Sequence, residues 1–143
     1  MPVTVVANAR GGAGKGTLST NIAACTAARG KAVMLGNADR QQSSRIWLRL
    51  RPAAVLQIQT WTVMHDDIFR PHKGTRHVAL DTPVDQHGKR LNKVMKLAEK
   101  IAVPLQPGIY DIHAVHEFVK QIKAQKTHTS TLTRCKLARS ACA

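Results

Sequence analysis

Apolar and polar positions along this chain fall into short blocks whose period switches between strand-like and helix-like. Val3-Thr4-Val5-Val6-Ala7-Asn8-Ala9 is a β-branched apolar run ending at a glycine cluster, which predicts a short buried strand and then a loop over 10–16. Leu18, Ile22 and Ala23 follow at helical spacing from about residue 15, and Gly30 supplies a left-handed stop. Cys25 falls on the apolar side of that helix and is expected to be a small core residue. Residues 32–35 predict a second strand. Ser43 or Ser44 then caps a short helix carrying Ile46, Trp47 and Leu50, closed by Pro52. Alternation from Val55 to Val63 predicts a third strand, with a weak helix or loop over 65–75. His77 to Leu80 predicts a fourth strand, 87–100 a helix, and Ile101 to Leu105 a fifth strand broken by Pro104. A last helix, from about Asp111 to Ala124, is expected to bury Ile112, Val115, Val119 and Ile122.

Strands alternating with helices imply an α/β fold, a doubly wound and mostly parallel sheet with helices on both faces. Ligands of such sheets sit at the carboxyl ends of the strands, where the loops 9–17, 36–43 and 81–85 converge by topology. The strand–helix pattern covers 1–124 as one domain. Residues 125–143 form a basic tail with a Thr/Ser run and no acid, read as a flexible arm or as a fold left incomplete.

Charge narrows the partners. The 143 residues hold 22 Lys+Arg against 8 Asp+Glu, a formal net charge of +14, which favours nucleic acid, nucleotides or an anionic surface. Arg40, Arg45, Arg49 and Arg51 cluster without an intervening acid. Lys89, Lys93, Lys96 and Lys100 stack on one side of the helix predicted over 87–100, opposite Leu91, Val94, Met95 and Ala98, which reads first as a solvated outer face. Scarce aromatic residues argue against a base-stacking single-strand binder. No apolar run approaches the roughly 18 residues of a membrane span, and the start has no secretory pattern. Cys25, Cys135 and Cys142 form no C-x-x-C pair, so free thiols in a reducing cytoplasm are expected.

The main chemical signal is the glycine-rich turn between the first strand and helix. Such a turn points successive backbone N–H groups into one concavity at the positive end of the helix dipole, and Lys15 adds a mobile ammonium for terminal phosphates. The usual phosphate-loop pattern is G-x-x-x-x-G-K-[ST]. Here Gly14-Lys15 match, Ala9 replaces the first glycine, and Gly16 stands where the hydroxyl belongs, with Thr17 one place later.

The segment Ala7-Asn8-Ala9-Arg10-Gly11-Gly12-Ala13-Gly14-Lys15-Gly16-Thr17 resembles the deviant Walker A loop, K-G-G-x-G-K-T-T, of the ParA/MinD ATPases. Three further segments agree in order. Residues 35–43 resemble the D-x-D-P-Q-x-S switch, Ala79-Leu80-Asp81-Thr82-Pro83 the Walker B strand and its I-D-T-P turn, and Val103-Pro104-Leu105-Gln106-Pro107 the V-P-V-Q-P strand. The likeness covers about residues 3–124 and is strongest to small ParA-like plasmid and chromosome partition proteins. Family members run further, so the chain looks truncated.

The resemblance implies ATP and Mg2+ as ligands. Amides from Gly11 through Gly12, Ala13, Gly14, Lys15 and Gly16 would wrap the phosphates, Lys15 would bridge the β- and γ-phosphates, and Thr17 would approach the α-phosphate or help with the metal. Asp81 would hold Mg2+ through water, Asp39 would position the attacking water, and Pro107 would lie near the adenine. Arg10 stands where the family has the lysine that reaches the partner subunit's nucleotide. The implied activity is ATP-driven homodimerisation with non-specific DNA binding. Hydrolysis would be stimulated by a ParB-like adaptor, in a cytoplasmic, nucleoid-associated setting.

Gly16 has no hydroxyl, Arg10 replaces lysine, and Asn37 replaces the first switch aspartate. These departures keep a second reading open, a nucleotide-binding regulatory module that does not hydrolyse, beside a truncated, inactive relative. A small P-loop kinase fits the switch-like segments poorly. His113 and His116 read as surface residues, Asp66-Asp67 as a helix-start cap, and Ser43 and Ser44 have no His/Asp framework for a nucleophile.

Overall fold

Five strands lie side by side and parallel in the computed structural model, which describes residues 1–37, 43–62, 71–82 and 89–125. They are β1 (Val3–Val6), β2 (Val33–Asn37), β3 (Gln59–Thr62), β4 (His77–Asp81) and β5 (Lys100–Ala102), in the order β3-β2-β4-β1-β5. Helices α1 (Lys15–Ala28), α2 (Ser43–Arg49), α3 (Lys89–Leu97) and α4 (Ile109–Gln125) connect or follow them. This is the doubly wound sheet that the alternating pattern predicts. No helix among the described residues is long and apolar enough to cross a membrane.

The two-residue period of a strand divides the core. Val3, Val5, Met34, Val78 and Leu80 face one side and pack with Leu91, Val94 and Met95 of α3 and Phe118 and Ile122 of α4. Val33, Leu35 and Ala79 face the other side, with Ala23 and Ala27 of α1 and, partly buried, Trp47 and Leu48 of α2. Because both faces are covered, β1 is buried at every position. Register sets the ends: Val6 of β1 and Asn37 of β2 both pair with Asp81 of β4. The hydroxyl of Thr82 donates to the Val6 carbonyl at 2.8 Å and tightens that junction.

Several sequence expectations need correction. Cys25 is exposed. The buried stripe of α1 is Lys15, Ser19, Thr20, Ala23 and Ala27, small residues apart from the lysine, with Leu18 and Ile22 only half-buried. The third strand is shorter than expected, and Val55 and Leu56 are exposed ahead of it. Lys100 starts β5 rather than ending α3, because its backbone pairs with Thr4, while Leu91, Val94, Met95 and Ala98 are buried as expected. On α4 the buried positions are Asp111, Phe118 and Ile122, while Ile112 is half exposed. The tail beyond Gln125, with Cys135 and Cys142, and the pairs Asp66-Asp67 and Asp39-Arg40 lie outside the described residues.

His77 gives the fold a dependence on pH. Burial, then the nearby charges of Lys100 and Lys31, lower its pKa from the ordinary 6.5, against a smaller opposing pull from Glu99, and its Nε2 lies 3.3 Å from Thr4 Oγ1. As pH falls through 6.5 the unfolded chain takes up this proton first. Stability is therefore lost from that point downward until folded His77 itself protonates. In thermal unfolding at a series of pH values, His77→Gln is expected to give a shallower fall in Tm below pH 6.5 than the parent. Parallel curves for the two proteins would exclude the effect.

Candidate phosphate-binding site

The loop between β1 and α1 is shaped by glycines in the left-handed region, Gly12 at φ 70° and Gly14 at φ 83°. A Cβ at either would meet nothing within 4 Å, so the requirement is conformational and not one of space. Gly14 caps α1, and its carbonyl accepts the helix's opening bond from Leu18 N at 2.9 Å. Amides ahead of Leu18 therefore have no acceptor inside the helix and present the positive dipole end to whatever lies in front. Lys15 is buried at 7% exposure, and its Nζ donates to the Arg10 carbonyl at 3.1 Å, folding the ammonium back over the loop.

Asp81, the last residue of β4, faces that loop from the adjacent strand end and is 3% exposed. Ser44 Oγ donates to Asp81 Oδ2 at 3.3 Å. A Cβ built on Gly16 would stand 3.4 Å from the same oxygen. Loop, carboxylate and α2 enclose a cavity of about 510 Å³, within the size range of small-molecule sites. Its wall includes residues 12–17, Thr20, Asn21, Ser43, Ser44, Trp47 and Asp81. Thr20 spends its hydroxyl on the carbonyls of Gly16 (2.9 Å) and Thr17 (3.0 Å), and Ser19 on that of Gly16 (3.0 Å).

The connection from β5 to α4 braces the loop from the other side. Asn8 Nδ2 donates to the Pro104 carbonyl at 2.6 Å while its Oδ1 accepts from Arg10 N at 2.9 Å. Gln106 Nε2 donates to the Gly12 carbonyl at 3.3 Å. The half-exposed Arg10 side chain turns away to an ion pair with Asp111, which is nearly buried in the first turn of α4.

Of the residues singled out from sequence, Gly12, Ala13, Gly14, Lys15, Gly16, Thr17 and Asp81 come together on one cavity. Gly11 and Arg10 precede its wall, and Pro107 is exposed and outside the lining. Asp39 lies outside the described residues. His113 and His116 are exposed on α4, the latter beside Glu117. Sequence reasoning missed Trp47 and Asn21 on the wall, the contact of Ser44 with Asp81, and the tie from Arg10 to Asp111. The available signals were the second of two adjacent serines at a helix start and an acid in the first turn of α4.

A family model described as the CobQ/CobB/MinD/ParA nucleotide binding domain matches residues 4–137. The chain belongs to that family. Within it, the chain is 31% identical over 137 residues to the maintenance of carboxysome distribution protein A of Gloeobacter kilaueensis. That match covers 92% of this chain and 62% of the relative, so the chain spans less than two thirds of that protein's length. Among solved structures, the MinC:MinD cell division protein complex of Aquifex aeolicus matches with a TM-score of 0.72 at 17% identity, covering 92% of this chain and 67% of that one. This likeness is one of fold.

Proposed function

We propose that the chain is a ParA-like ATP-binding protein that positions or partitions a cargo, a plasmid or chromosome in the first instance. Supporting it is one observation above all: a glycine-shaped loop with a buried lysine opens onto the same cavity as a buried aspartate from the neighbouring strand end. Loop amides and Lys15 would hold the β- and γ-phosphates, and Asp39 would orient the attacking water. The family's divalent cation suits the donors present, since a buried carboxylate and a hydroxyl are hard oxygen ligands. Asp81 and Thr17, both on the cavity wall, would hold Mg2+, which when bound would neutralise charge on the phosphate oxygens.

For Arg10 to reach the nucleotide of a second copy it must leave Asp111, so ATP-dependent pairing would exchange an ion pair within one chain for contacts between two. Arg45, Arg49 and Arg51, on and just after α2, are candidates for non-specific DNA contact. Their affinity should fall steeply with added salt, because counterions are released on binding. A ParB-like adaptor would stimulate hydrolysis.

The test is ATP binding by the purified chain together with phosphate release, with and without DNA. Binding with release supports the ATPase. Gly16, which leaves the loop without a hydroxyl beside Asp81, favours a second reading, a regulatory nucleotide-binding module. Binding without release in any condition would select it. Absence of binding would overturn both.

A further inference from the structure

Gly16 leaves a gap at the place where the phosphate loop ordinarily offers a hydroxyl to the metal. The gap is measurable, because a Cβ there would stand 3.4 Å from Asp81 Oδ2. A hydroxyl reaches the same oxygen from a different element: Ser44 Oγ, on α2, at 3.3 Å. Ser44 is 1% exposed and lines the cavity, and its burial beside a carboxylate fixes which way its proton points. A serine hydroxyl has one proton and two lone pairs. With the proton given to Asp81, the lone pairs are left to accept, and the carboxylate makes the oxygen a better donor to a hard cation. Thr17, the next hydroxyl along, is exposed on the cavity wall, whereas Ser44 is buried against Asp81, and the hydroxyls of Ser19 and Thr20 on the buried stripe of α1 are committed to backbone carbonyls.

We propose that Ser44 supplies from α2 the hydroxyl ligand that Gly16 cannot, so that nucleotide-borne Mg2+ is held by the Ser44–Asp81 pair. This rests on the ATP-binding reading and adds to it the source of the metal ligand. It also joins α2 to the phosphate loop through the cation, whereas a loop hydroxyl would leave α2 out of the metal's shell.

The readout is the ratio of affinities for a slowly hydrolysed ATP analogue measured in Mg2+ and in EDTA. The parent is expected to bind about tenfold tighter in Mg2+, equivalent to about 1.4 kcal/mol. Ser44→Ala should bring the ratio close to one. Adding Gly16→Thr to Ser44→Ala should restore it, because the threonine hydroxyl would enter beside Asp81. Ser44→Cys should shift preference from Mg2+ to the thiophilic Cd2+, a change that a merely structural serine would not produce. A parent ratio of one, or an unchanged ratio in Ser44→Ala, overturns the assignment while leaving ATP binding intact. A ratio lost in Ser44→Ala, with neither threonine rescue nor a Cd2+ shift, makes Ser44 a prop for Asp81 and also overturns it. No binding even in EDTA defeats the ATP reading itself.

Discussion

Alanine in place of Lys15 is expected to weaken ATP binding by about a hundredfold or more, the equivalent of about 2.7 kcal/mol. The side chain is 7% exposed and its ammonium is tethered to the Arg10 carbonyl, so it meets phosphate already largely stripped of water. Hydrogen bonds between charged groups in such surroundings contribute about 1.5–3 kcal/mol each, more than neutral ones. The tether is to a neutral carbonyl, so removing the ammonium should lower the thermal midpoint little. Isothermal titration with a slowly hydrolysed ATP analogue measures the loss, and unfolding of the same sample separates it from misfolding. An affinity within threefold of the parent would mean that the loop does not grip phosphate through this lysine.

Leu80→Ala should be among the most damaging single changes to the fold. Leu80 is 1% exposed on β4, with β2 and β1 bonded on its two sides, and its side chain packs in the cluster shared with α3 and α4. Truncating a leucine in such a place costs about 2–5 kcal/mol, from lost transfer energy and the cavity left behind. Domains of this kind hold about 5–15 kcal/mol in total, so the loss is a large share. Urea unfolding should show a midpoint far below the parent's. Leu97→Ala, at a position 42% exposed, should stay within about 1 kcal/mol. Equal effects of the two would contradict the placement of the core.

The strands that carry the site were legible because they are short apolar runs, β-branched throughout in β1 and Val78-Ala79-Leu80 in β4, a signal that survives burial on both faces. The phosphate loop was legible for a different reason, as its glycines and lysine are required by backbone conformation and charge rather than by packing. Helix faces were harder. In α1 apolar residues surround the axis, so spacing alone did not show that the helix lies against the sheet through Ser19, Thr20, Ala23 and Ala27 and leaves Cys25 outside. In α4 the buried face is Asp111, Phe118 and Ile122, with Asp111 tied to Arg10, and Ile112 is left half exposed. Hydrophobic period carries no information about an ion pair formed across a separation of 101 residues. The contact of Ser44 with Asp81 was illegible for the same reason, since it depends on which strand ends are neighbours.

The strand order has a consequence for how the protein comes to its native state. β4 lies between β1 and β2, which precede it in the chain, so the loop and Asp81 become neighbours only when β4 pairs with β1. Contacts of such long sequence separation are slow to close, because chain entropy is lost before they are rewarded. The phosphate grip is therefore expected to form late in folding, and an emerging chain that ends before residue 77 has the loop but not its counterpart. Nucleotide would then act chiefly by slowing escape from the native state, with little influence on the rate of reaching it.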